Sequence, residues 1–158
     1  MEAIPIQPAP LWRRLAAIVY DAFLVMALAF LAAFINLGIQ MMIFGQETLK
    51  TMTEQGHSVG GLPFSLAVIA IIFGFFGFFW TRTGQTLGMQ AWRIRIQTHE
   101  GSTLSPKQCV IRFVVAIPSL LLAGLGVFWV LIDKKKRSWQ DMASGSNTVV
   151  IAKAKKKS

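Results

Sequence analysis

Asp21 is the residue in this chain with the most chemistry to offer. It lies inside an apolar run that begins at Leu15, ~9 Å further along a helix axis that rises ~1.5 Å per residue. An ionised carboxylate at that depth in hydrocarbon is costly. Such acids ordinarily face a partner or a water-filled cavity. Arg14 lies two helical turns earlier, on the same stripe, with Ala17 between the two. Facing neighbours on a helix are three or four residues apart, so a direct Arg14–Asp21 contact is not expected and a water or a second residue must bridge them. Two roles stay open for Asp21. It binds or relays a cation or proton, or it anchors packing by accepting hydrogen bonds from another segment.

Two further acids, Asp133 and Asp141, flank the basic run Lys134, Lys135, Lys136 and Arg137. Asp133 reads as a surface charge at a helix end, and Asp141 as a loop acid or a helix N-cap. Either acid could reach Arg13, Arg14 or Arg112. Arg112 stands at the lip of an apolar run, from which a long side chain can snorkel to the interface. Arg14, Asp21 and Asp141 are therefore the proposed polar centre, with Asp133 and Arg112 secondary to it. The four basic residues Lys134 to Arg137 follow an apolar run that contains Trp129. That setting suits anionic lipid headgroups, at ~1 kcal/mol per charge near the surface, and not nucleic acid.

Other chemistry is sparse. A single cysteine, Cys109, cannot form an intrachain disulfide. His57 and His99 are too far apart in the chain to suggest a metal pair, and both read as plain loop residues. The stretch from Gly84 to Gly88 matches neither nucleotide-binding glycine pattern. No Ser/His/Asp or paired-carboxylate constellation is spaced for catalysis. The expectation is a protein that is not an enzyme and needs no cofactor, with a lipid-modifying enzyme a distant third reading.

The elements that hold these residues follow from composition. Of 158 residues, 54% are apolar and 15% charged, against about a quarter charged in an ordinary soluble domain. The 16 Lys and Arg outnumber the 7 Asp and Glu, for a net charge of +9. The basic residues flank apolar runs, which points to a membrane surface. The length allows one domain.

Residues 1–14 form a Pro-rich leader, and 15–37 form a first span, long enough for a bilayer that needs ~20 residues. It reads as an uncleaved anchor, because it is too long for a signal h-region and Asp21 interrupts it. Residues 45–61 form a polar loop, and 62–80 a second span with no ionisable group. Gly74 and Gly77 could admit another helix closely, or simply reflect the abundance of Gly in membrane helices. Trp12 and Trp80 fit an interfacial aromatic belt. Residues 81–111 are mixed. Within them Trp92 to Ile96 alternates with period two, as a half-buried strand does, and Ser105-Pro106 starts a helix. Residues 113–132 form a third apolar run interrupted by Pro118, Gly124 and Gly126. Residues 133–158 form a basic tail with a strand-like stretch from Thr148 to Ile151 and lysines at 153, 155, 156 and 157.

Charge sets the topology and creates a conflict. Arg13 and Arg14 place the N-terminus in the cytoplasm. The acidic loop 45–61 is then external and 81–111 cytoplasmic. A third full span would put the strongest positive cluster outside. The conflict resolves if the third run dips in and returns, or lies in the interface. Its non-helical part must then be satisfied by protein or water. The short strands Ile94–Gln97 and Thr148–Ile151 also need to share a side in order to pair. Three full spans with an external tail is the alternative. The fold class is thus an all-α integral membrane protein with two transmembrane helices, a third broken hydrophobic segment and a small cytoplasmic β pairing.

The stretch from Arg13 to Asp21 resembles the first-helix motif of the RDD family, small and mostly bacterial membrane proteins named for one arginine and two aspartates. Residues from Thr83 to Ile96 resemble that family's loop after the second span. Residues from Asp133 to Asp141, followed by Gly145 and Thr148-Val149-Val150, resemble its C-terminal motif. The resemblance covers Trp12 to Ile151. Two departures stand out: Gln140 where the family often has His, which weakens a proton relay at Asp141, and the pair Ser146-Asn147, which looks like an addition. The resemblance implies a multi-pass protein of the bacterial inner membrane. It also implies a transport-like role, since some members are described as Na⁺/H⁺ antiporters. The first functional expectation is cation transport coupled to protons, in a homo-oligomer or with a membrane partner protein, since so few helices enclose little room. The alternative is a non-enzymatic accessory or assembly subunit.

Overall fold

The structure is a computed structural model, and it describes residues 7–56 and 60–151. His57 and the terminal lysines of the tail lie outside the described residues. The elements in order are α1 (Leu11–Phe44), α2 (Gln46–Glu54), α3 (Gly61–Arg82), α4 (Leu87–Ala91), β1 (Ile94–Thr98), α5 (Pro106–Leu121), α6 (Leu125–Phe128), a 3-10 turn (Trp129–Leu131), α7 (Trp139–Ser144) and β2 (Ser146–Val150).

Helices α1 and α3 are each long and apolar enough to cross a membrane. Helix α1 exceeds the expected first span at both ends. It starts directly after Pro10, because Arg14 is drawn into protein contacts and does not mark a water boundary. The polar segment after it is not a plain loop. Its residues form α2, whose Thr51 and Thr53 hydroxyls donate to carbonyls one turn back.

The third apolar run is broken, as its sequence suggests. Helix α5 and the α6 segment meet at 105°. The break falls at Ala123 and Gly124, both in the left-handed region at φ 54 and 79. Pro118 is not the breaking residue, since it lies inside α5. The start of α5 carries a full capping box between Ser105 and Gln108, with Pro106 in the first turn. That start matches the sequence reading.

The described residues up to Asp21 and from Phe75 onward form one compact unit, and Ala22–Gly74 form another. In the second unit Phe30, Phe34, Met42 and Leu62 are exposed, as befits a surface that meets lipid. No neighbouring atom among the described residues comes within 4 Å of where a Cβ would stand on Gly74 or Gly77.

The first unit is built around the β1–β2 pair. The strands are antiparallel, with Ile94 opposite Val150 and Ile96 opposite Thr148. Ile94 and Ile96 are buried and Arg95 is less so, which is the expected period-two pattern. Strand β2 begins at Ser146, so the Ser146-Asn147 pair is the first part of the strand and not an addition before it. The chain entering α1 joins the same sheet. Pro8 bridges Val149, the Ala9 N–H donates to the Thr148 carbonyl at 2.9 Å, and the Val150 N–H donates to the Gln7 carbonyl at 2.9 Å. Trp80 is buried with Ile96, Leu104 and Cys109, so it is a core residue and does not sit in an aromatic belt. Trp12 is exposed.

This unit ties the entry to α1, the β1 segment and the chain after the third run into one body. A run whose two ends are held in one body is expected to enter and return on one side. Single-cysteine variants His99→Cys and Lys135→Cys, in a Cys109→Ala background, are expected to react with a membrane-impermeant maleimide from the same face of sealed vesicles. Reaction of the two from opposite faces would sink the re-entrant topology.

Candidate functional site

The site begins with a local capping pattern. Ser138 is the N-cap of α7, and Asp141 stands three residues later. The Ser138 hydroxyl accepts the Asp141 N–H at 3.3 Å, and Asp141 Oδ2 accepts the Ser138 N–H at 3.1 Å. Asp141 is thus neither a loop acid nor the N-cap itself. The capping box turns its carboxylate back toward the chain before the helix, where two arginines meet it. Arg14 Nη1 donates to Oδ2 at 2.5 Å, and Arg112 Nη1 donates to Oδ1 at 2.7 Å. The Thr148 hydroxyl also donates to Oδ1, at 2.9 Å. Asp141 is 0% exposed, Arg14 5% and Arg112 6%.

Each guanidinium is further committed. Arg14 Nε donates to the Ala9 carbonyl at 3.0 Å, and its Nη2 donates to the carbonyls of Lys136 at 3.0 Å and Thr148 at 3.2 Å. Arg112 donates to the hydroxyls of Ser146 at 2.9 Å and Thr148 at 3.3 Å, and lies 5.5 Å from the centre of the Trp80 ring. Burial alone would disfavour the charged carboxylate. The Arg112 and Arg14 charges outweigh it and hold the Asp141 carboxyl well below the usual carboxylate range. Such a group stays ionised at any physiological pH.

Asp21 belongs to a different arrangement. Its Oδ1 accepts the Gly88 N–H at 2.9 Å, and its Oδ2 accepts the Thr86 hydroxyl proton. The Thr86 oxygen in turn caps α4 by accepting the Met89 N–H at 3.2 Å. Gly88 has no room for a side chain, since a Cβ there would stand 2.4 Å from the Ala17 carbonyl and 2.8 Å from Asp21 Oδ1. Among the described residues no ion pair involves Asp21. The expected bridge from Arg14 to Asp21 is not what forms. Arg14 goes to Asp141, and Asp21 goes to the start of α4.

Asp133 and Arg137 form a third arrangement. Arg137 donates to Asp133 Oδ2 through its backbone N–H at 2.9 Å and Nε at 3.1 Å, and to Oδ1 through Nη2 at 3.3 Å. These bonds draw the Asp133 carboxyl below its ordinary value and raise the Arg137 guanidinium. Asp133 therefore reaches none of Arg13, Arg14 and Arg112. Lys134 and Lys135 are exposed, and Lys136 Nζ approaches the Leu131 carbonyl at 3.4 Å. Arg112 is buried against Asp141 and does not snorkel to the interface. His99 meets Asn147 on the surface. Among the described residues no group of three or more His, Cys, Asp or Glu is placed to hold a metal.

Sequence reasoning missed Thr86, Gly88, Ser138, Ser146 and Thr148. Thr86, Gly88 and Thr148 lie in stretches that resemble the family's motifs, but only Ser138 carried a physical signal of its own: Ser-x-x-Asp before a helix is a capping pattern. Gln140 is also buried. Its Nε2 donates to the Ser119 hydroxyl at 3.1 Å, inside a polar group that includes Ser144. The arrangement as a whole contains one saturated ionic triad and one buried acid held by neutral donors.

The family model described as RDD family matches residues 8–145. No curated protein and no solved structure matches the chain.

Removing the charge at position 141 leaves two buried guanidinium groups without their counter-ion. Asp141→Asn is expected to cost about 3–5 kcal/mol of stability at neutral pH, measured as a drop in Tm in detergent. The native pKa of Asp141 lies below its unfolded value. Its contribution is therefore complete above about pH 4 and is lost as pH falls through the lowered value. Wild-type Tm is expected to fall with acidification below about pH 4, and the Tm of Asp141→Asn to fall less. Parallel profiles for the two proteins would contradict this.

Proposed function

The chain belongs to the RDD family, and from that premise we propose that it is a non-enzymatic membrane protein that exchanges a cation for protons as part of an oligomer. Asp21 is the exchanging acid in this reading. Arg14, Asp141 and Arg112 form a fixed ionic frame that takes no part in the exchange. The observation that carries the proposal is the environment of Asp21. It is an acid within an apolar span, it is 5% exposed, and its bonds come from one hydroxyl and one amide and from no cation. A carboxylate has about four lone-pair sites, so two donors leave capacity for an ion or a proton. Asp141 lacks that capacity and cannot cycle its charge against two arginines. The positive-inside rule supports an inner-membrane placement with Arg13, Arg14 and the 134–137 run in the cytoplasm. Few spans per chain favour a shared pathway between copies.

A second reading is an accessory or assembly subunit. One observation favours it. Both bonds of Asp21 fix the first turn of α4 against α1, and Gly88 seats that turn against Ala17 with no space left. On that reading Asp21 is a packing anchor, and the protein's work is done by a partner it holds.

Proton flux driven by Na⁺, Li⁺ or K⁺ gradients in proteoliposomes separates the two. Asp21→Asn keeps an acceptor for the Gly88 N–H and is expected to stay folded. Its flux is expected to fall at least tenfold, on the order of removing a committed proton-transfer group. Flux unchanged in that variant would sink the transport role of Asp21. Absence of flux from folded wild-type protein, with a second membrane protein copurifying, would favour the subunit reading.

A further inference from the structure

The third apolar run and the basic turn after it make a surface that neither functional reading uses. Leu121 is 80% exposed, Leu125 55%, Phe128 40% and Ile132 71%. Directly after Ile132 the chain makes a tight turn. The Lys136 N–H donates to the Asp133 carbonyl at 2.9 Å, and the Arg137 backbone N–H donates to the Asp133 carboxylate at 2.9 Å. Asp133 neutralises Arg137 at 3.1 Å. The turn's one acid and one guanidinium thus cancel each other. Lys134 and Lys135 project as exposed charges beside an apolar blade.

Arg14 fixes where this blade sits. Its Nη2 holds the Lys136 carbonyl at 3.0 Å, so the basic turn is fastened to the first turns of α1. The run bends by 105° before it reaches that turn. Exposed apolar side chains followed directly by exposed lysines suit the acyl layer and headgroups of a phospholipid. The sign of the lysines selects an anionic headgroup.

We propose that the re-entrant hairpin is an anionic-phospholipid site, with Leu121, Leu125, Phe128 and Ile132 in the acyl layer and Lys134 and Lys135 on the headgroup phosphate. Arg137 is no part of the grip, because Asp133 holds it. The site rests on the membrane placement of the chain and is independent of whether ions are transported.

The test is competition for bound lipid. The full chain is reconstituted in nanodiscs of mixed phosphatidylglycerol and phosphatidylcholine, and the lipids retained on gentle release are counted by native mass spectrometry. Wild type is expected to retain phosphatidylglycerol over phosphatidylcholine. The double variant Lys134→Gln/Lys135→Gln is expected to lose about 30-fold of that preference, the worth of two surface lysines. Lys134→Arg/Lys135→Arg is expected to restore it. A control, Arg82→Gln/Lys107→Gln, removes two exposed charges elsewhere and is expected to leave the preference intact. Equal retention of the two lipids by wild type, an unaltered preference in the double variant, or an equal loss in the control would each overturn the proposal.

Discussion

One constraint organises the chain outside its long helices: the carboxylate of Asp141 is wholly buried and must be neutralised there. An isolated carboxylate in that setting costs several kcal/mol even after relaxation. Two guanidinium groups reach it from two separate stretches of the chain. Arg14 comes from 127 residues away and Arg112 from 29. Meeting this condition brings the entry of α1, the middle of α5, the first turn of α7 and strand β2 to one place. Thr148 serves both charges, since its hydroxyl donates to Asp141 and accepts from Arg112. Its carbonyl accepts from Arg14 and from the Ala9 N–H. The small sheet is in this sense a holder for the triad, which explains how a pair too short to persist alone is kept.

The same condition separates two acids that look alike in the sequence. Asp141 has charged partners on both oxygens, so its ionisation is fixed. Asp21 has neutral donors, so its charge is not locked by a counter-ion. Two arginines against Asp141 leave one positive charge in the first unit's interior, and Asp21 is the other buried acid among that unit's described residues.

Much of this was legible from residue types and spacing. The two spans, the interrupted third run, the period-two strand from Ile94 and the start of α5 at Ser105-Pro106 all follow from local patterns that local physics enforces. Arg14, Asp21 and Asp141 stand out because charge in an apolar chain needs a reason. Their pairing was not legible. A contact between residues 14 and 141 leaves no periodic trace, and helical spacing tied Arg14 to Asp21, with which it forms no ion pair. Thr86 and Gly88 were hidden for the same reason, since a threonine and a glycine in a polar loop have many ordinary uses. The polar segment after the first span concealed α2, because its apolar content is too low for periodicity to announce a helix. Trp80 misled through position: the end of a span suggests an interfacial belt, yet Arg112 lies over its ring and the core closes around it.

The charge rule and the hydropathy pattern disagreed over the third run, and the geometry explains why. Hydropathy counts residues between charges and sees a length fit to cross. The charge rule counts lysines and finds them on the wrong side of such a crossing. The disagreement disappears once the run bends at Ala123 and Gly124, because left-handed backbone at two successive residues cannot continue a right-handed helix. Ala123 is the informative residue of the two. Glycine adopts that conformation freely, whereas alanine does so against a steric cost of roughly 1–2 kcal/mol. Something must hold it there. The contacts available are those of the hairpin's returning arm: Gly126 sits against Ser119 and Trp139 so closely that a Cβ would fall 2.1 Å from the Ser119 hydroxyl oxygen. Ser119 is bonded to Gln140, the residue before Asp141. The bend in the membrane segment is therefore tied, through Ser119 and Gln140, to the same helix turn that carries the buried carboxylate.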